Sequence, residues 1–226
     1  GVFVFVIKHH NDVYIARDHL GIKPLFYALK DGTLILSSEM KCILKYLGEC
    51  IVDEEGIKQL IGLGPSLVPG QTIYRDIYML RPAHYMTFND QLIMKRYWKL
   101  EDHPHTDNIE ESKEKLKELV IESIDHQIDD HICGMLSGGL DSSIICALAS
   151  KKQPLSTYSV NYEEQAHYFK AYDYQKTMDD EYIKDMIHQY DLDHQEIILS
   201  QRDLVSSLKE ALICRDMPAM ADIDSS

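Results

Sequence analysis

The sequence is poor in positive charge and contains no apolar run long enough to span a membrane. Its 37 acidic residues outnumber its 23 lysines and arginines, which gives a net charge of −14 over 226 residues. An acidic surface repels polyanions, so we expect no nucleic-acid partner. A membrane-spanning helix needs about 20 consecutive apolar residues, so we also expect no membrane association.

Paired cysteines and helical metal motifs are lacking as well. The five cysteines form no CxxC pair, and the eleven histidines include no HExxH motif, so a zinc site of the common spacings is not expected. Cys133 and Cys146 lie in apolar segments, where a cysteine is usually an inert core residue. These features favour a cytoplasmic protein with reduced thiols.

The chain divides into two regions with different periodicity, predicted as domains 1–100 and 101–226. The first region consists mainly of short apolar runs separated by turn residues, which predicts a β-rich half whose sheet is covered on both faces. The second begins with a polar linker and then alternates strands with helical periodicities. Such alternation predicts a parallel sheet with helices on both faces.

The most informative motif lies at residues 137–143, which read SGGLDSS between a strand-like run and an apolar helix. Glycines let the backbone approach a ligand closely, and the first N–H groups of a helix are free to bind an anion. Three hydroxyl groups add donors, and Asp141 adds a carboxylate suited to holding Mg²⁺ on phosphates. It is not a Walker loop, because no Gly-Lys-Ser/Thr follows. A plain turn before a helix is the alternative interpretation.

This motif resembles the SGGxDS pyrophosphate loop of N-type ATP pyrophosphatases, which split ATP between its α and β phosphates and transfer AMP to a substrate. Residues 17–27 are similar to the RDxxGxxPLFY stretch of class II glutamine amidotransferase domains. Together the motifs resemble those of glutamine-hydrolysing asparagine synthetases. Further landmarks of that family follow in the same order, at residues 37–41, 82–85, 97–98, 216–218 and 222–226.

The resemblance implies an α/β and α+β architecture. A truncated N-terminal-nucleophile-type amidotransferase sandwich would precede a parallel, doubly wound adenine-nucleotide α-hydrolase-like domain. The implied reaction is ATP-dependent amidation of aspartate to asparagine through a β-aspartyl-AMP intermediate, with ammonia supplied from glutamine. ATP and Mg²⁺ are the implied cofactors, and the expected partners are these small molecules and a second copy in a homodimer.

The resemblance also assigns site residues. Asp141 is the implied catalytic residue and metal ligand. Residues implied to bind ATP and pyrophosphate are Leu136, Ser137, Gly138, Gly139, Leu140, Asp141, Ser142, Ser143 and Val160, of which Leu136 and Val160 read equally well as core residues. Those assigned to the acceptor substrate are Asp216, Asp222, Asp224 and Ser225, for which an acidic surface loop is the alternative.

Several family motifs do not occur in the sequence. They are the N-terminal nucleophilic cysteine, the glutamine-binding NGEIYN and GSD motifs, and the later SGExxDE motif. We therefore expect an internal fragment of a longer enzyme, incomplete and inactive by itself, with exposed apolar faces where a sheet is cut. The alternatives are a related amidating or cyclising synthetase with another carboxylate acceptor, a GMP or NAD synthetase, and a fragment without catalysis.

Overall fold

A computed structural model describes residues 1–49, 51–64, 66–164, 167, 169–170 and 178–217. The fold is mixed α/β, and the chain forms two compact units. The first unit comprises residues 1–103 and 207–226, and the second comprises residues 104–206. The predicted domain boundaries remain a prediction, since compact units and sequence domains divide the chain by different criteria.

The first unit contains two antiparallel sheets and two helices. One sheet has the strand order β1-β2-β6-β7, and the other has the order β4-β3-β5. The elements in chain order are β1 (Val4–His9), β2 (Asp12–Arg17), β3 (Phe26–Lys30), β4 (Thr33–Ser37), α1 (Met40–Leu47), α2 (Glu54–Leu63), β5 (Tyr78–Met79), β6 (His84–Asn89) and β7 (Gln91–Arg96).

The apolar strands of the first unit do not all lie in a covered sheet. Ile15 and Met86 are fully buried, but Phe5 and Ile7 on the edge strand β1 are 43% and 53% exposed. The prediction that this sheet is covered on both faces is therefore wrong for β1. The exposed face agrees instead with the expectation of apolar faces open to solvent.

Arg17 and Asp18 hold the turn that follows β2. The buried Arg17 guanidinium donates to the carbonyl oxygens of Gly21, Lys23 and Leu80, and the Asp18 carboxylate accepts from three backbone N–H groups, including that of Lys23. Those N–H groups hold the pKa of Asp18 below its usual value, although burial opposes the shift. The role of Arg17 and Asp18 is structural, because both side chains form hydrogen bonds with backbone groups.

The second unit contains a parallel three-stranded sheet in the order β10-β9-β8. Leu136, Cys146, Ala149, Leu155 and Leu192 form its buried core. The elements are α3 (Ile109–Asp125), β8 (Cys133–Met135), α4 (Leu140–Ser150), β9 (Ser156–Tyr162), α5 (Asp180–Tyr190) and β10 (Asp193–Leu199). The last helix, α6 (Gln201–Arg215), begins in this unit, and its residues from 207 onward belong to the first unit. The alternation of strands and helices predicted from the sequence is confirmed.

Two helices begin with reciprocal hydrogen bonds between a polar residue and an acidic residue three positions later. Asn108 accepts from the backbone N–H of Glu111, whose side chain accepts in turn from the N–H of Asn108, so α3 starts with a capping box. Ser200 and Asp203 form the same reciprocal pair before α6. Among the described residues, no helix is both long and apolar enough to cross a membrane.

Candidate nucleotide site

The SGGLDSS motif lies between a buried strand end and an exposed helix start. The N–H of Leu136 donates to the carbonyl oxygen of Tyr158 at 2.7 Å, which continues the pairing of β8 with β9, and the Leu136 side chain is fully buried. Ser137 is exposed, and α4 begins three residues later at Leu140. The chain therefore leaves the buried core after Leu136 and begins a helix at Leu140. We call residues 137–143 the pyrophosphate loop.

The two glycines of the loop have different roles. Gly138 has a φ of +78°, and a Cβ there would lie 2.8 Å from the carbonyl oxygen and the Cβ of Asp179. Gly139 has a φ of −75° and would place its Cβ no closer than 3.5 Å to any atom, namely Oγ of Ser137. Position 138 therefore requires glycine for both its conformation and its close approach to Asp179.

The start of α4 presents free backbone donors. The first helical hydrogen bond runs from the N–H of Ser143 to the carbonyl oxygen of Gly139, and no side chain caps the helix at Gly139. The preceding N–H groups in the first turn have no acceptor within the helix. Together with the positive end of the helix dipole, they form an arrangement suited to a phosphate group.

The loop serines stabilise the turn through their hydroxyl groups. Oγ of Ser142 lies 3.0 Å from Oγ of Ser137, and it accepts from the Ser137 N–H at 3.2 Å and donates to the carbonyl oxygen of Gly139 at 3.2 Å. These hydrogen bonds join the first residue of the loop to the first turn of α4. The predicted phosphate-binding role of Ser137, Ser142 and Ser143 stays a prediction.

Asp141 and Val160 occupy positions compatible with the predictions made for them. Asp141 is exposed on the first turn of α4. Val160 is half-buried in β9, two residues beyond Tyr158, and pairs with Ile197 of β10. Among the residues that the structure describes, no group of three or more potential metal-ligating side chains occurs.

Asp216 belongs to the first compact unit, whereas the pyrophosphate loop belongs to the second. Its Oδ1 lies 3.1 Å from Nζ of Lys41, and its carbonyl oxygen accepts from the hydroxyl of Tyr74 at 2.6 Å. Nζ of Lys41 also donates to the carbonyl oxygens of Ile213 and Cys214, so it caps the C-terminal end of α6. Asp222, Asp224 and Ser225 lie outside the described residues. The acceptor-side assignment of all four residues therefore stays a prediction.

A row of hydrogen-bonded polar side chains on β9 and β10 was not predicted from the sequence. The ring nitrogens of His194 lie 2.9 Å from Oγ1 of Thr157 and 3.0 Å from Oγ of Ser159. Further along the same face, the side-chain amide of Asn161 bonds to Asp180 and Glu196. The signal in the sequence was polar residues at every second position of β9, inside a strand that also carries apolar residues.

Two family models match the chain. One, described as a glutamine amidotransferase domain, covers residues 1–98, and the other, described as asparagine synthase, covers residues 115–226. Asparagine synthetase (glutamine-hydrolyzing) 3 of Bacillus subtilis strain 168 is 39% identical over 238 aligned positions, which include the whole chain. The chain belongs to the glutamine-hydrolysing asparagine synthetase family. It spans 39% of the length of that relative.

Other relatives match a smaller share of the chain. Asparagine synthetase (glutamine-hydrolyzing) 1 of the same strain is 30% identical over 73% of the chain and 27% of the relative. Amidase chry2 of Gibberella zeae is 30% identical over 66% of the chain and 23% of the relative. The family resemblance predicted from the motifs is thus confirmed, and the family includes a relative with a different name.

Substitution of Gly138 by alanine tests the steric argument. We expect Gly138→Ala to lower the free energy of unfolding by about 2 kcal/mol, because a left-handed alanine costs ~1–2 kcal/mol and its Cβ must displace Asp179. Gly139→Ala is the matched control and should cost less than about 1 kcal/mol, since only a helix-capping preference is lost. Urea unfolding of both variants measures the difference. Equal losses would contradict the special role of position 138.

The environment of His194 predicts a pH dependence of stability. Burial lowers the pKa of His194, although Glu196 opposes the shift, so the folded protein favours the neutral ring. The unfolded chain binds the proton more readily, so this contribution is present above the unfolded pKa of about 6.5 and is lost as the pH falls below it. His194→Gln should flatten the decline in unfolding free energy over this range, and the exposed His126→Gln should not. Identical pH profiles for the two variants would refute the prediction.

Proposed function

We propose that the chain is part of an enzyme that amidates aspartate to asparagine with ATP, using ammonia released from glutamine. The observation that carries the proposal is the exposed start of α4, where N–H groups without an acceptor in the helix follow the left-handed turn at Gly138. An amidotransferase match precedes a synthetase match in the same chain, which supports a nitrogen source coupled to an adenylating site.

The proposal includes the finer fold assignment. We interpret the first unit as part of an N-terminal-nucleophile-type amidotransferase sandwich, and the second as part of a doubly wound adenine-nucleotide α-hydrolase-like domain. The parallel order β10-β9-β8 supports the second assignment, because ligands of such sheets bind beyond the carboxyl ends of the strands. We assign the protein to the cytoplasm, since the four cysteines in the described ranges are free.

The reaction would proceed in two displacements. An oxygen of the aspartate β-carboxylate attacks the α-phosphorus of ATP, the bond to the oxygen bridging the α and β phosphates breaks, and pyrophosphate leaves. Ammonia then attacks the carbonyl carbon of the β-aspartyl-AMP, and AMP leaves with the electron pair of the broken C–O bond. Charge accumulates on the departing pyrophosphate in the first step.

The pyrophosphate loop would act on that developing charge. The N–H groups of Gly138, Gly139, Leu140, Asp141 and Ser142 belong to one turn at the start of α4, and donors fixed before the reaction cost no reorganisation when charge develops. The hydroxyls of Ser137 and Ser142 can exchange their mutual hydrogen bond for bonds to phosphate oxygens. Ser143 would contribute a hydroxyl to the same turn.

Leu136 and Val160 would border the adenine or ribose through their backbone groups. Leu136 directly follows β8, and Val160 lies near the carboxyl end of the neighbouring β9. On the acceptor side we propose Asp216, Asp222, Asp224 and Ser225.

Asp141 fits a magnesium ligand. Mg²⁺ binds proteins through one or two carboxylates and takes its other ligands from phosphates and water. The single exposed carboxylate of Asp141, beside free N–H groups suited to phosphate, matches that donor set. When bound there, Mg²⁺ would supply positive charge that screens the phosphates from the incoming carboxylate.

A related synthetase with another carboxylate acceptor is the second candidate function. The likeness to amidase chry2 favours it, because that relative shares 66% of the chain under a different name. A catalytically inactive fragment is the third candidate. The three differ in whether adenylation occurs and in which carboxylate it needs.

Exchange of labelled pyrophosphate into ATP separates these candidates. We expect a protein that spans the full length of the relatives to catalyse exchange only when aspartate is present, without ammonia or glutamine. The reason is that adenylation precedes attack by nitrogen and can reverse by itself. Exchange that requires a different carboxylate would contradict the substrate assignment, and no exchange with any carboxylate would contradict adenylation.

Asp141→Asn tests the metal ligand in the same assay. The substitution removes a negative charge and preserves the shape of the side chain, so we expect aspartate-dependent exchange to fall by roughly 10²–10³-fold, as for loss of one preorganised electrostatic contact. Asp191→Asn, at an exposed left-handed position after α5, is the charge-matched control and should leave exchange unchanged. Near-normal turnover of Asp141→Asn at saturating Mg²⁺ and ATP would show that Asp141 holds no metal.

A further inference from the structure

Asn161 makes three hydrogen bonds at the carboxyl end of β9. Its Nδ2 donates to Oε1 of Glu196 at 2.8 Å and to Oδ1 of Asp180 at 3.3 Å, and its Oδ1 accepts from the N–H of Tyr162 at 2.9 Å. An amide group can donate two hydrogens to two carboxylates while accepting one. A carboxylate at this position would face two like charges, and a hydroxyl has only one hydrogen to donate.

The partners of Asn161 connect it to the pyrophosphate loop. Asp180 is the first residue of α5, and Glu196 lies on the neighbouring strand β10. The residue before Asp180 is Asp179, whose backbone lies so close to Gly138 that no Cβ fits between them. Asn161 therefore ties the sheet to the first turn of α5, and that turn is in direct contact with the loop.

We infer that Asn161 is a positioning residue for the pyrophosphate loop. Its amide holds the first turn of α5 at the distance from β9 that keeps Asp179 against Gly138, and this contact fixes the direction of the free N–H groups. The three hydrogen bonds of Asn161 go to Asp180, Glu196 and Tyr162 and none goes to the loop, so its effect passes through α5. The inference rests on the proposed function, because the loop is taken to bind the phosphates of ATP.

Binding of magnesium ATP to the protein that spans the full length of the relatives, measured by calorimetry, tests the inference. Asn161→Asp keeps the size of the side chain but places a carboxylate between Asp180 and Glu196, and we expect the dissociation constant to rise by about tenfold or more because like charges push the first turn of α5 away. Glu196→Gln is the matched control, since its amide oxygen still accepts from Asn161, and it should bind as the unsubstituted protein does.

Two double variants separate positioning of α5 from a general effect on the fold. Asn161→Asp with Asp180→Asn reverses donor and acceptor across the contact with α5 and should restore most of the affinity, because the exposed Glu196 is free to turn away. Asn161→Asp with Glu196→Gln restores only the bond to β10 and should leave the affinity weak. Equal rescue by the two partners would overturn the inference.

The remaining outcomes distinguish failure of the inference from failure of the proposed function. Unchanged affinity in Asn161→Asp would overturn the inference alone and leave the proposed function intact. Failure of the unsubstituted protein to bind magnesium ATP would overturn the proposed function and the inference with it. If Asn161→Asp loses cooperative unfolding, Asn161→Ala replaces it, and a folded Asn161→Ala with normal affinity would equally overturn the inference.

Discussion

The contact between Gly138 and the backbone of Asp179 is the constraint on which the arrangement of the second unit depends. It brings the start of α5 against the turn between β8 and α4, where a side chain at position 138 would meet backbone and Cβ atoms at 2.8 Å. Because the two elements are already in contact at this point, the turn has no room to move toward α5. A loop fixed in this way is suited to stabilise charge that develops during a reaction.

Local signals in the sequence were sufficient for much of the fold. The capping box at Asn108 and Glu111, the reciprocal pair at Ser200 and Asp203, and the strand–turn–helix of the pyrophosphate loop depend on residues at most a few positions apart. Such interactions are encoded in neighbouring residues, so spacing alone indicates them. The exposure of β1 to solvent was not predicted from the sequence, because an apolar run has the same pattern whether or not another element covers it.

The interactions that the sequence did not predict join residues far apart in the chain. Asp216 pairs with Lys41 across 175 positions, and Asn161 meets Glu196 across 35. Neither spacing follows a helical or strand period, so no local pattern indicates these contacts. They also concern polar side chains, whose partners are decided by the packing of whole elements. The site residues were therefore predicted from a motif, whereas the contacts of Asp216 and Asn161 required the structure.

The central claim is that the start of α4 holds a polyphosphate through backbone N–H groups oriented by Gly138. The most direct measurement is a titration of the isotopically labelled protein with magnesium pyrophosphate, followed by the amide resonances of residues 137–143. The account predicts that the largest saturable shifts occur at Gly138 to Ser142, and that Gly138→Ala abolishes them while Gly139→Ala retains them. Saturable shifts elsewhere with an unaffected loop, or equal loss in the two glycine variants, would contradict it.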